Sequence, residues 1–277
     1  MNILVTHRSV DLDAITSCWL IKRFLPGWNE AEIKFVDAGS TLDNKPPDDI
    51  FNIIHVDTGL GKFDHHQTDT HTSAAQRTYE FLKAENHIQI KYLKALEKLS
   101  LIVTQLDHFE EAYFPEAAND RYDFMLHQII EGLKGPLGDD TKIMEMAFIL
   151  LDAIVQVLRN KAKAEEAIKN GFIFQSKYDK CIVMDSQNEE SIKLALKSGY
   201  SLAAKKDPVK GNVRIKTLPD NKYDLTPVYA EILKKDKKGT WFLHISKHML
   251  LNSSSKNPNF IPSPLSLKSL IEIIKSV

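Results

Sequence analysis

The first 57 residues restrict the fold most. They hold short apolar runs that each stop at a polar, metal-ligating residue, with one helical stretch between them. Asn2 to Val5 is a short, mostly apolar run that gives way to Thr6-His7. Ala14, Ile15, Cys18, Trp19, Ile21 and Leu25 then fall at helical spacing. Pro26-Gly27 ends that helix. Glu32 to Ala38 reads as a second strand, and Phe51 to Val56, after a turn with paired prolines, as a third that ends at Asp57. Strand, helix, strand and strand is the rhythm of a parallel α/β sheet. Such sheets bind ligands beyond the carboxyl ends of their strands, which is where His7 and Asp57 fall.

Ser73 to Leu106 is mainly helical in pattern, with Asp107 near its end. Phe124 to Leu133 predicts another helix, and Gly135-Pro136-Leu137-Gly138 a break. Asp139 or Asp140 caps a long helix to about Lys169, with Gly171 beyond its end. The pattern then changes. Phe172 to Phe174, Cys181 to Met184, Val213 to Thr217 and Thr240 to Ile245 read as strands, and Ser266 to Ser276 as a closing helix. At roughly 150 residues per domain, the chain is expected to form two domains, 1–170 and 171–277.

Several classes are disfavoured. The start lacks the basic and long apolar regions of a secretory signal. The longest apolar stretch, Met144 to Leu158, is interrupted by Glu145, Asp152 and Gln156, so no membrane span is expected. Cys18 and Cys181 are expected to be buried free thiols in a reducing compartment, with the cytoplasm as the location. The net charge of −1 hides an asymmetry. Residues 1–120 carry 11 Lys/Arg against 19 Asp/Glu, and residues 199–256 carry 12 against 5. An acidic half suits cations, and a basic half suits an anionic substrate.

His7, Asp11 and Asp13 occupy one loop after the first strand, Asp57 follows the third, and His65 and Asp107 come later. Each taken alone has a bland reading as a cap, turn or surface residue. Together they are six nitrogen and oxygen donors that suit Mn²⁺, Co²⁺ or Mg²⁺ better than a structural zinc site, which favours thiolates. Asp11 and Asp13, two apart, diverge in an extended loop and can serve different ions, with Asp57 bridging them. Two ions about 3.5–4 Å apart would lower the pKa of a bridging water for attack on phosphorus.

Asp64-His65-His66, with His7-x-x-x-Asp11-x-Asp13 upstream and Asp57 between, resembles the DHH phosphoesterase superfamily of exonucleases, oligoribonucleases, exopolyphosphatases and family II pyrophosphatases. Within it, Phe63-Asp64-His65-His66-Gln67, Thr72-Ser73-Ala74-Ala75 and Trp241-Phe242-Leu243-His244 are similar to motifs of the Myg-type branch, which is linked to 3′–5′ RNA exonuclease activity. The chain departs from that branch in two places. It has Asp11-x-Asp13 where the branch has His-x-Asp, and it lacks the Gly-Gly pair after the late histidine. The resemblance implies an α/β fold: an N-terminal parallel-sheet DHH domain with helices, a smaller C-terminal α/β domain, and an active site in the cleft between them. It implies two Mn²⁺ ions, with Mg²⁺ or Co²⁺ as alternatives, on His7, Asp11, Asp13, Asp57, His65 and Asp107. Asp57 and His66 are then the catalytic residues. His66 also contacts the substrate phosphate, and Asp64 orients His65 or His66.

The polar cluster after the late strand offers a substrate clamp: His244, Lys247, Asn252, Ser253 and Ser254, joined by Arg214. The expected substrate is a phosphate ester, short RNA or an oligonucleotide first. A small phosphate such as pyrophosphate, polyphosphate or a mononucleotide is the alternative, and a non-catalytic metal- or nucleotide-binding regulator ranks last. No membrane partner is expected. A homodimer is left open.

Overall fold

The computed structural model of the protein describes residues 1–252 and 259–277. The chain divides into two compact units, Met1–Arg159 and Asn160–Val277. The division falls inside the longest helix.

In the first unit, β1 (Ile3–His7), β2 (Glu32–Val36) and β3 (Ile53–His55) form a parallel sheet in the order β2-β1-β3. Ile3 lies opposite both Glu32 and Ile53, so the three strands run in step and their carboxyl ends share one edge. The helix after β1, α1 (Leu12–Phe24), is buried on every side from Leu12 to Ile21. It packs against the sheet and against α2 (Ala74–Ala84) and α3 (Ile90–Asp107), with Ile15, Trp19, Leu82, Leu96 and Val103 in one core. Each buried side chain of this size contributes about 1.5–3 kcal/mol, so α1 is the central support of the unit. The single helical pattern read over 73–106 is two helices, separated at residues 85–89 by a turn with Asn86 in the left-handed region (φ 56).

The break read over Gly135-Pro136-Leu137-Gly138 is confined to its end, at Gly138. Helix α4 (Leu126–Leu137) runs through Pro136 and stops at Gly138, whose φ of 56 is left-handed. Gly135 has no Cβ to clash with the proline ring, which lowers the penalty for a helical residue before proline. Helix α5 spans Asp140–Lys169. Asp139 caps it, its Oδ1 accepting from the Thr141 N–H at 2.9 Å.

The second unit is built on a six-stranded sheet, in the order β4-β5-β6-β7-β9-β8. Its strands are β4 (Phe172–Ser176), β5 (Asp179–Asp185), β6 (Leu202–Lys206), β7 (Val213–Thr217), β8 (Trp241–Leu243) and β9 (Met249–Asn252). Among the described strands of this sheet, only β5 and β6 pair in parallel. Helices α6 (Glu190–Lys197), α7 (Thr226–Lys235) and α8 (Leu267–Ser276) complete it. Four of these elements were not read from the sequence. Strand β6 hides behind Lys205-Lys206, because Lys205 is buried against Glu189 at 2.7 Å. Helices α6 and α7 fall in stretches to which the sequence reading assigned no element. Met249 to Asn252, which reaches into the cluster read as a substrate clamp, is β9, which folds back on β8 through a turn at Lys247 (φ 60).

Candidate metal centre

The centre forms at the carboxyl edge of the three-stranded sheet, within the first unit. His7 ends β1, and its Nε2 lies 3.2 Å from Asp57 Oδ2 and 3.6 Å from Asp11 Oδ2. Its Nδ1 is 2.9 Å from the Arg8 carbonyl, which can only accept. Nδ1 therefore carries a proton, and Nε2 faces the carboxylates. Burial alone would lower the His7 pKa. The bonds to Asp57 and Arg8, with the charges of Asp11 and Asp57, outweigh it and push the pKa up to about 9.

Asp57 sits two residues past β3 in the left-handed region, at φ 54. Its N–H donates to the Phe63 carbonyl at 3.0 Å, and that strained turn aims its carboxylate inward. The side chain is only 3 % exposed. Burial would raise its pKa, but His65 and His7 hold it down to about 2. Oδ1 is nevertheless without a hydrogen-bond partner among the described residues. The nearest imidazole nitrogens are at 3.5 Å (His65 Nε2) and 4.0 Å (His66 Nδ1).

Asp13 is completely buried in the first turn of α1 and accepts the Ala74 and Ala75 N–H groups at 2.8 Å each. These belong to the N-terminus of α2, where unpaired N–H groups favour a negative charge. The sequence reading attached no role to Ser73-Ala74-Ala75. Here the segment holds Asp13, with Ser73 capping the helix at the Gln76 N–H. Asp11 is the N-cap of α1, accepting the Ala14 N–H at 2.9 Å. Its Oδ2 is the atom turned to His7. Asp107 ends α3, with Oδ2 3.5 Å from His65 Nε2. Burial raises Asp13 and Asp107, crowding by surrounding atoms raises Asp11 although half of its side chain is exposed, and the charge of Asp57 raises each of them further.

The turn after β3 sets both histidines of the Asp64-His65-His66 run. Asp64 is buried and accepts the Leu60 N–H at 2.7 Å, the His66 N–H at 3.2 Å and His66 Nδ1 at 2.7 Å. Burial would raise its pKa, but these bonds hold it below the usual carboxylate range. Arg77 on α2 donates to the Asp64 carbonyl. His65 Nε2 points at Asp57, Asp13 and Asp107, and its interaction with Asp57 pushes its pKa up to about 9 against the cost of burial. His66 is 60 % exposed.

Two participants were not assigned to the centre from the sequence, where Asp140 was read only as a possible helix cap. The Asp140 carboxylate accepts the Ser9 N–H at 2.9 Å and the Val10 N–H at 3.2 Å, pinning the His7–Asp13 loop where Ser9 is left-handed. His108 brings a ring nitrogen to within 4.8 Å of ligand atoms of His65 and Asp107. The same closeness joins His7 with Asp11 and Asp57, and Asp57 with His65 and His66. Several carboxylates thus crowd two imidazoles, and one buried carboxylate oxygen has no donor. A buried polar atom without a partner costs about 1–3 kcal/mol. A divalent cation would remove that cost and the mutual repulsion, so the donor set fits one.

The clamp residues lie in the second unit. Arg214 and Lys247 are paired with acids of that unit, Glu189 and Asp224. His244 Nδ1 is 2.9 Å from Ser246 Oγ. Asn252 is fully buried, its amide donating to the Thr240 and Ile261 carbonyls and accepting the Ser263 N–H. It is a structural tie between strand and loop. Ser253 and Ser254 lie outside the described residues. Cys18 and Cys181 are both free and buried. Among the described residues, no helix is long and apolar enough to cross a membrane.

Fold and site together define an α/β protein with a carboxylate–imidazole centre at the carboxyl edge of a parallel sheet. The chain belongs to the family described as ChrB, C-terminal domain, whose model matches residues 4–158. That span includes every residue of the centre. The matching model is not that of the DHH phosphoesterases, which the motifs resemble. No curated protein matches the chain. Among solved structures, an exopolyphosphatase-related protein from Bacteroides fragilis is 11% identical, with 99% of this chain and 90% of that one covered and a TM-score of 0.29. A candidate family II inorganic pyrophosphatase from Methanococcus jannaschii is 16% identical, with 99% of each chain covered and a TM-score of 0.24. At these scores neither likeness carries an argument about fold or role.

Proposed function

We propose that the protein is a divalent-metal-dependent phosphoester hydrolase that holds two ions, Mn²⁺ first among them. The observation that carries this reading is Asp57, a buried carboxylate with one oxygen facing His7 and the other, without a hydrogen-bond partner, facing His65. His7, Asp11 and Asp57 would hold one ion, and Asp13, Asp57, His65 and Asp107 the other. Ions in such a donor set supply a lowered water pKa and positive charge for a phosphoryl group. Asp57 joins the two ligand groups and fixes their separation. His66 does not need to be a ligand. Asp64 takes its Nδ1–H and orients the ring, leaving Nε2 on an exposed edge to hold a proton for the leaving oxygen.

The proposed substrate is the 3′ end of a short RNA or oligonucleotide, supported by the basic stretch over residues 199–256. The pairing of Arg214 with Glu189 and of Lys247 with Asp224 favours a second reading, a small phosphate such as pyrophosphate. A substrate panel with Mn²⁺ separates them. A descending ladder from a 5′-labelled short RNA is expected. Cleavage of pyrophosphate with RNA left intact would establish the second reading, and turnover of no phosphate ester would end both.

A further inference from the structure

The ligand groups of the centre overlap at His65, which lies with Asp57 and His66 in one and with Asp107 and His108 in another. Its Nε2 has one lone pair and can serve one ion only. That nitrogen is nearly equidistant from three carboxylates, 3.5 Å from Asp57, 3.5 Å from Asp107 and 3.7 Å from Asp13. An ion bound at that nitrogen would lie among these carboxylates, and it would also be near His108, which groups with His65 and Asp107. A third ion farther out would have to take His65 away from it. His108 is therefore an additional imidazole beside the second ion, and not the seed of another site.

The orientation of His108 is fixed from two sides. Its Nε2 lies 2.9 Å from the Thr72 carbonyl, which only accepts, so the ring donates there. A neutral imidazole in that bond keeps its lone pair on Nδ1. The ring also stacks on His71 with centroids 4.4 Å apart, and His71 is held by Glu110 at 2.6 Å. Metal-bound histidines commonly donate their other ring nitrogen to a backbone carbonyl in this way.

We propose that His108 is a ligand of the second ion, alongside Asp13, Asp57, His65 and Asp107. The inference rests on the two-ion reading above. A second imidazole moves that position away from Mg²⁺ and toward Co²⁺, Mn²⁺ or Zn²⁺.

The test is a Co²⁺ titration of the full chain, followed by calorimetry and by the visible absorption of the bound ion. Wild type is expected to bind two ions. His108→Gln keeps a side-chain N–H for the Thr72 carbonyl but removes the imidazole. It and His108→Ala are both expected to weaken the second ion by at least the roughly 10–100-fold that even outer-shell changes produce. The first ion should be unaffected, and the absorption of the second should change. Two ions bound normally by His108→Gln, with an unchanged spectrum, would overturn the ligand role and leave the two-ion reading standing. Weakening in His108→Ala alone would assign His108 a purely structural part and overturn it as well. Three ions bound by wild type would refute the shared use of His65. Failure of wild type to bind any divalent ion would remove the two-ion reading and this inference together.

Discussion

Asp57 faces His7 through one oxygen and His65 through the other. Asp57→Ala is expected to leave a folded chain, as judged by circular dichroism, with phosphoester hydrolysis at background and neither ion tightly held. Full activity in that variant would rule out the bridging role. Protons compete with cations here. His7 and His65 are pushed up to about 9 from a usual 6.5 by neighbouring carboxylates. A histidine raised on folding stabilises the fold fully below 6.5 and loses that contribution as pH rises through about 9. The metal-free protein should therefore melt at progressively lower temperature over that window. Cation uptake near pH 7.5 should release protons, visible as a dependence of calorimetric heat on buffer ionisation enthalpy. Uptake with no proton release would contradict protonated imidazoles in the metal-free centre.

At the scale of elements, the centre depends on helix ends. The first turn of α2 holds Asp13, the N-cap of α1 is itself Asp11, and the residue that opens α5 holds the loop between His7 and Asp11. Asp140→Ala should weaken the ion at His7 and Asp11 by roughly 10–100-fold, the usual cost of losing an outer positioning group, with Asp140→Asn in between. Equal affinity in Asp140→Ala would show that the loop holds its shape without this clamp. Ser73→Ala should cost about 1 kcal/mol as a lost helix cap, measured by denaturant unfolding, and a larger loss is not expected. Much of this edge was legible in the sequence, because ligand-type residues at strand exits are both compositionally and positionally unusual. Asp140 was not legible, since a carboxylate bonded to backbone N–H groups 130 positions away leaves no motif. His108 passed unread because a lone histidine after an aspartate at a helix end has no spacing to mark it. Strands β6 and β9 were lost for a different reason: Lys205-Lys206 and Asn252 interrupt the apolar pattern of a strand, yet Lys205 and Asn252 are buried and engaged.

For the whole molecule, every donor named here lies in Met1–Arg159, and each unit has its own apolar cores. A fragment ending with α5 at Lys169 is therefore expected to bind two Co²⁺ ions with near wild-type affinity. Loss of both ions from a folded fragment would place a missing ligand in residues 170–277. The pin between Asp140 and the Ser9–Val10 backbone also sets an order in time. His7 through His66 leave the ribosome early, but Asp107 and Asp140 come much later. A nascent chain short of residue 140 can display most of the recognisable motif while its loop is still unpinned. Full affinity for both ions is thus expected only once residue 140 has emerged, and chains released earlier should be poorer at sequestering scarce cations.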